Sequence, residues 1–347
     1  GPAEAVGSGP RALLFPSGYA ANVSVFTALC GLHPGQRGAD PQVHIYSDKL
    51  NHASIIDGIR FAKASAAKPD GPGGAQGGRP AAGAIFLHIY QHNDPQDLEA
   101  KLKSAPANAL NVVVTESVFS MDGTLCRLAE IAALKRDHSF LLVVDEAHAT
   151  LVFGDRGGGF AQACGVGGQV DISVGTLSKA VGSIGGFVVA RCESLRAIIL
   201  NKGRPVIYST ALPIDCVVRA IAAVEVAMGV EGGRLRSKLQ ENVRSLVLLL
   251  RATGLVPPAL AAAAGGHALL SPIVPLAMGS EEMATEASQF LLERCGIFCP
   301  AIRPPTVPRG TSRLRIAVTA SHTPSQLQAL ADALMRFLEH KKPRSRL

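Results

Sequence analysis

The sequence predicts an α/β fold: a large domain built on a mostly parallel sheet flanked by helices, then a smaller α+β C-terminal domain. Three observations predict it. Short, apolar, β-branched runs alternate with helical stretches through residues 43–201. Several of those runs end abruptly in polar residues, as at Glu116 and Asp145, and strand ends are where α/β sheets bind ligands. From Asp215 the alternation stops, and a helical pattern runs to Arg251 before two further short strands.

The elements follow in order. Helical spacing begins at Gly18–Cys30, behind the start signal Ser17-Gly18. Val43–Tyr46 is the first expected strand, and Ala53–Ala64 the helix after it. Ala84–His88, Pro95–Lys103, Val112–Thr115 and Leu128–Asp137 continue as strand, helix, strand and helix. Phe140–Val144 is a continuous apolar run, which suits a strand covered on both faces. Ile172–Val174 and Phe187–Ala190 are strands, and Ser194–Asn201 and Pro213–Met228 are helices. In the second domain the expected elements are strands Ile273–Leu276 and Leu314–Val318 and a last helix Pro324–His340. The domain boundary is placed at 214/215, giving domains 1–214 and 215–347. Low-complexity stretches at about 66–83 and at 257–266 read as surface insertions.

Composition narrows the function classes. Hydrophobic content of 47% with 18% charged residues describes a globular chain with a large core. No apolar run reaches the ~20 residues of a membrane span. The net charge of +7 comes from scattered basic residues in a chain without tryptophan, so it favours anionic small substrates over nucleic acid. Seven cysteines form no CxxC pair, which argues against a zinc site or a disulfide framework.

The chemistry gathers in a few stretches. VGTLSKAVGSIGG, 174–186, holds Lys179 among small and apolar residues. A reachable, easily deprotonated lysine in such a setting suits covalent work on a carbonyl, although a surface position on a Gly-rich loop is the usual fate of a lysine taken alone. Thr176 and Ser178 beside Gly182, Gly185 and Gly186 suit a phosphate. In VVDEAHA, Asp145 follows a strand directly and His148 comes three residues on. In SDKLNHASIIDG, His52 precedes a helix with Ser54 in its first turn. In TESVFSMDG, Glu116, Ser120 and Asp122 cluster behind another strand. A lysine for an aldehyde, an acid for a ring nitrogen, a donor for a ring hydroxyl and a phosphate cradle are together what pyridoxal phosphate needs.

These stretches, with FPSGYAAN, VIYSTALP and AIRPPTVPRGTSRLRIAVTASHT, resemble in order the α-oxoamine synthases, fold-type I pyridoxal-phosphate transferases. The resemblance runs across nearly the whole chain. It implies a seven-stranded, mostly parallel sheet and an acyltransferase that releases CO2. It implies that Lys179 holds the cofactor and carries a proton, that Asp145 pairs with the ring nitrogen, and that His148 and Ser120 meet the ring hydroxyl. It places His52 against the ring and near the substrate, with Glu116 close by, and Thr176, Gly18 and Tyr19 at the phosphate. Family members are homodimers with shared sites, so Ser209 and Thr210 are expected to reach a partner's phosphate. Arg303 and Thr306 are expected to face the substrate, Arg303 as a bidentate fork on a carboxylate.

AIRPPTVP most resembles the family branch that joins L-alanine to a pimeloyl thioester, carried on CoA or on an acyl carrier protein, in biotin biosynthesis. A sister reaction, glycine with acetyl-CoA, and a non-catalytic scaffold of the same fold stand beside it. The family carries an N-terminal arm with an early arginine before FPSGYAAN, and the opening GPAEAVGSGP reads as a start shortened past it. The closing Ser345-Arg346-Leu347 fits the SKL-type peroxisomal address, so peroxisomal targeting is expected.

Overall fold

The computed structural model describes residues 12–31, 42–66, 84–106, 108–257, 260, 263–264 and 268–341. The opening ten residues, nearly all of the first low-complexity stretch, much of the second and the Ser345–Leu347 tripeptide lie outside them. The described residues divide into two compact units. The first takes those up to Phe119 and then Cys126–Gly232; the second takes Ser120–Leu125 and those from Gly233 on.

The first unit is built on a seven-stranded sheet in the order β1-β7-β6-β5-β4-β2-β3. Its strands are β1 (Ala12–Phe15), β2 (Val43–Asp48), β3 (Ile85–Tyr90), β4 (Leu110–Glu116), β5 (Leu141–Asp145), β6 (Ile172–Thr176) and β7 (Gly186–Ala190). β3, β2, β4, β5 and β6 run parallel, while β7 is antiparallel to both β6 and β1. Central β2 is buried at every position, as a strand covered on both faces must be. Edge strand β1 alternates exposed and buried.

Helix α1 (Gly18–Cys30) starts where Ser17, extended, accepts a hydrogen bond from Ala20 N through its side chain at 3.0 Å. α1 and α2 (Ala53–Ala66) pack together over the sheet. There Val25, Phe26, Leu29, Ile55 and Ile59 meet Ile45, Val112, Val114 and Val143 in one buried core.

The helical pattern over 215–251 resolves into two helices, Ile214–Met228 and Val230–Leu250. Gly229 separates them with an extended backbone (ψ −173°), which ends the first helix. Ile214–Met228 belongs to the first unit, because its Ala220 packs with Leu177 and Val181. The division of the chain therefore falls at Gly232/Gly233, later than the 214/215 drawn from the sequence.

The second unit carries a three-stranded antiparallel sheet, in the order β8 (Ile273–Gly279), β10 (Ser312–Ala317), β9 (Ala301–Ile302), with helices Glu281–Cys295 and Pro324–Lys341. Ser120–Leu125 joins it through β10. Arg313 pairs with Asp122 at 2.6 Å, and Arg315 Nε donates to the Ser120 carbonyl at 2.6 Å. Among the described residues no helix is long and apolar enough to cross a membrane, and no group of three or more His, Cys, Asp or Glu is arranged to hold a metal ion.

Candidate active site

Three neighbouring parallel strands end on polar residues. β4 ends on Glu116, β5 on Asp145 and β6 on Thr176. Glu116 lies directly opposite Asp145 in the ladder, and Asp145 opposite Val174. The sheet thus delivers these side chains to one carboxyl edge, where open α/β sheets bind ligands.

Asp145 is buried, and each of its carboxylate oxygens accepts one hydrogen bond. Ala147 N donates to Oδ1 at 2.8 Å, and Asn22 Nδ2 donates to Oδ2 at 2.7 Å. Beside it, burial pushes the Glu116 carboxyl well above the usual carboxylate range. The Asp145 charge pushes the same way, while a hydrogen bond from the His52 backbone and the Lys179 amine pull down. Glu146, the next residue after Asp145, is also buried and is raised by burial, against the pull of its hydrogen bonds from Ala161 N and Phe160 N at 2.8 and 2.9 Å.

His52 stands at the mouth of α2, its Nδ1 2.8 Å from Ser54 Oγ. Partial burial lowers its pKa below the ordinary imidazole value. Lys179 pushes the same way, and Asp145 and Asp57 push against it.

Thr176 closes β6, and Lys179 lies in the loop between β6 and β7. Thr176 Oγ1 donates to the Gly185 carbonyl at 3.0 Å and accepts from Ser178 N at 3.2 Å, which pins the loop's two ends together. The Lys179 side chain is exposed, its Nζ 2.9 Å from His148 Nε2.

The start of α1 closes against this loop with almost no spare space. A Cβ on Gly186 would sit 2.4 Å from the Ser17 carbonyl group, and one on Gly18 would sit 3.1 Å from Thr176 Cβ. Glycine lets the backbone N–H groups at the mouth of α1 come beside Thr176, a setting that favours an anion. Tyr19, in the same turn, is half-exposed and donates from its hydroxyl to Asp57 at 3.0 Å.

The structure thus gathers Gly18, His52, Glu116, Asp145, His148, Thr176 and Lys179 at one edge of the first unit. Ser209 and Thr210 are in the same unit and exposed, with Ser209 donating to the Pro205 carbonyl. Ser120, Arg303 and Thr306 belong to the second unit. Arg303 and Thr306 are exposed and share a turn in which Thr306 N donates to the Arg303 carbonyl at 3.0 Å. One site residue does not stand out in the sequence: Asn22, buried and joined to the buried Ser54 at 2.9 Å. The one available signal is an asparagine inside the apolar helix GYAANVSVF, with no solvent-facing position to explain it.

The residues fit pyridoxal phosphate. Asp145 offers a buried, hydrogen-bonded carboxylate to a ring nitrogen. Lys179 offers an accessible amine to an aldehyde. Gly18 and Gly186 leave room at a helix start that any Cβ would fill.

The aminotransferase class I and II family matches residues 81–334. The chain is 41% identical over 326 residues to 8-amino-7-oxononanoate synthase of Trichlorobacter lovleyi, covering 94% of this chain and 73% of the relative. It is 36% identical over 332 residues to 8-amino-7-oxononanoate synthase of Arabidopsis thaliana, covering 94% of this chain and 62% of that one. Among solved structures, a serine palmitoyltransferase from S. paucimobilis with a bound PLP–myriocin aldimine superposes with a TM-score of 0.78. It is 30% identical, with 96% of this chain and 73% of that chain covered. The 8-amino-7-oxononanoate synthase of Francisella tularensis superposes at 0.73 with 25% identity, over 96% of this chain and 84% of that one. The fold is that of the fold-type I transferases, and the chain belongs to the 8-amino-7-oxononanoate synthase family of pyridoxal-phosphate enzymes.

Proposed function

We propose that this chain catalyses the decarboxylative condensation of L-alanine with a pimeloyl thioester, on CoA or a carrier protein, to give 8-amino-7-oxononanoate. The observation that carries this reading is the convergence of Asp145, His52 and Lys179 on one sheet edge, in a chain 41% identical to a synthase of that name. When bound, pyridoxal phosphate supplies the aldehyde that holds the amino acid and the ring that takes up negative charge at Cα.

The chain's own residues do the rest. Lys179 would hold the aldehyde, and its Nζ, when free, would take the Cα proton. His148, 2.9 Å from that nitrogen, is placed to relay the proton onward. Asp145, its carboxylate held by Asn22 and Ala147, keeps the ring nitrogen protonated. His148 is assigned to the ring hydroxyl, and Glu116 lies beside Asp145 in the ladder. Thr176, with Gly18 and Tyr19, takes the phosphate. His52 lies against the ring. Arg303, whose planar fork matches a carboxylate, and Thr306 take the substrate's acid end. Ser209 and Thr210 serve the site of a second copy in a homodimer, a reading supported by their exposure and by the exposed Ile214, Val218 and Ile221 on the following helix.

The test is CoA release with purified protein. Alanine with pimeloyl-CoA is expected to turn over, and glycine with acetyl-CoA is not; turnover with the second pair alone overturns the assignment. Peroxisomal delivery through Ser345-Arg346-Leu347 belongs to the same reading. A fluorescent protein ending in this tail is expected to enter peroxisomes, and the same protein without the tripeptide to stay outside.

A further inference from the structure

Behind the site, the side chains of Asp145, Asn22, Ser54 and His52 form a line of three hydrogen bonds whose donors and acceptors follow from chemistry. Asn22 is buried in the second turn of α1, with Nδ2 2.7 Å from Asp145 Oδ2 and 2.9 Å from Ser54 Oγ. An ionised carboxylate only accepts, so the amide nitrogen of Asn22, and not its oxygen, faces Asp145. The amide has two protons, and one goes to each partner. Ser54 Oγ therefore accepts from Asn22 and keeps its own proton to give away. It lies 2.8 Å from His52 Nδ1, and the Ser54 backbone N–H points at the same nitrogen from 3.2 Å. A backbone N–H can only donate. His52 Nδ1 is thus an acceptor, and the single proton of the neutral ring is on Nε2.

We infer that Asn22 and Ser54 are positioning residues that hold His52 as the neutral, Nε2-protonated tautomer where it meets the cofactor ring. The inference rests on the placement of His52 proposed above. It supplies a reason for the relay. A ring whose nitrogen is kept protonated by Asp145 carries positive charge, and an imidazolium stacked on it would meet like charge at contact distance. A neutral imidazole stacks without that repulsion. Other charges around His52 would not secure this by themselves. Asp145 and Asp57 favour a protonated ring, Lys179 opposes it, and Glu116 meets only the His52 backbone. The two donors fixed on Nδ1 decide the matter, because a proton there would face the Ser54 N–H head-on. The relay also ties the histidine to the ring's acid partner: Asn22 touches Asp145 and Ser54 with one nitrogen, so neither can shift alone.

Histidine 15N NMR on the full chain with pyridoxal phosphate bound tests this directly, with His52→Gln assigning the signal. At pH 7 the wild type is expected to show a bare Nδ1 and a protonated Nε2. Ser54→Ala and Asn22→Leu each disturb the line and are expected to raise the His52 midpoint by about half a pH unit or more, by removing hydrogen bonds that favour the neutral ring. The acid limb of the kcat/KM profile is expected to move to higher pH with it. Ser54→Thr, which keeps the hydroxyl and the N–H, is expected to restore both. An imidazolium or an Nδ1-protonated ring in the wild type overturns the inference, as does an unmoved midpoint in Ser54→Ala. If Asn22→Leu fails to fold, the Ser54 variants decide alone. The tautomer is read without turnover, so its failure is distinct from a failure to condense alanine with pimeloyl-CoA.

Discussion

Lys179 Nζ and His148 Nε2 lie 2.9 Å apart, across 31 residues of chain. The turn after β5 carries the imidazole and the loop after β6 carries the amine, so adjacent parallel strands bring the two groups within hydrogen-bond distance. Lys179→Ala removes the amine from an exposed position and leaves the core untouched. It is expected to lower kcat for alanine with pimeloyl-CoA by about 10³-fold or more, the range of a lost acid–base group, with an unchanged unfolding midpoint. CoA release and thermal melts check both halves.

Asp145→Asn keeps the shape of the side chain and discards its charge. It is expected to lower kcat by about 10²–10³-fold, the scale for deleting one preorganised electrostatic partner. Steady-state kinetics, with cofactor retention measured by absorbance, tell a weakened cofactor site from a slowed reaction.

Gly186→Ala tests the joint between fold and site. The new methyl group would lie 2.4 Å from the Ser17 carbonyl group and 2.5 Å from Gly18 N, against backbone on both counts. Relief requires β7 and the start of α1 to separate. A loss of about 1–3 kcal/mol is expected, as for other overpacked positions, measured by urea unfolding. Weaker binding of pyridoxal phosphate should accompany it.

Glu116 makes stability depend on pH. Burial, then the Asp145 charge, hold its folded pKa well above the ordinary value of 4.5, so the folded chain keeps a proton that the unfolded chain has lost. Its contribution to stability falls as pH rises from the unfolded value through the folded one, and below 4.5 both states are protonated and the effect disappears. Glu116→Gln copies the protonated form. It is expected to match the wild type in acid and to gain on it progressively toward neutral pH. Urea unfolding at several pH values checks the slope.

The parallel core was legible because its strands are continuous apolar runs, and Val112–Thr115 and Phe140–Val144 fall within one or two residues of β4 and β5. Lys179, Asp145 and His148 were legible because each follows a strand in a recognisable motif. β1 was not. It has four residues, and its partner β7 lies far along the chain, so no local periodicity announces it. The break at Gly229 was legible in part: Pro213–Met228 ends where the first helix ends, although the helical spacing also read on past it to Arg251. Asn22 was hidden for a different reason: a polar residue in a helix reads as surface until the packing shows that it faces inward.

Thr176 and Gly186 pair across β6 and β7, and Lys179 lies on the span of chain between them. Both anchors of that span are immovable: one is set by the register of the central sheet, the other by a backbone contact that admits no side chain. Sequence length in this span is therefore under tighter constraint than sequence identity. A single inserted or deleted residue would carry the lysine away from His148 even if every residue named above stayed the same.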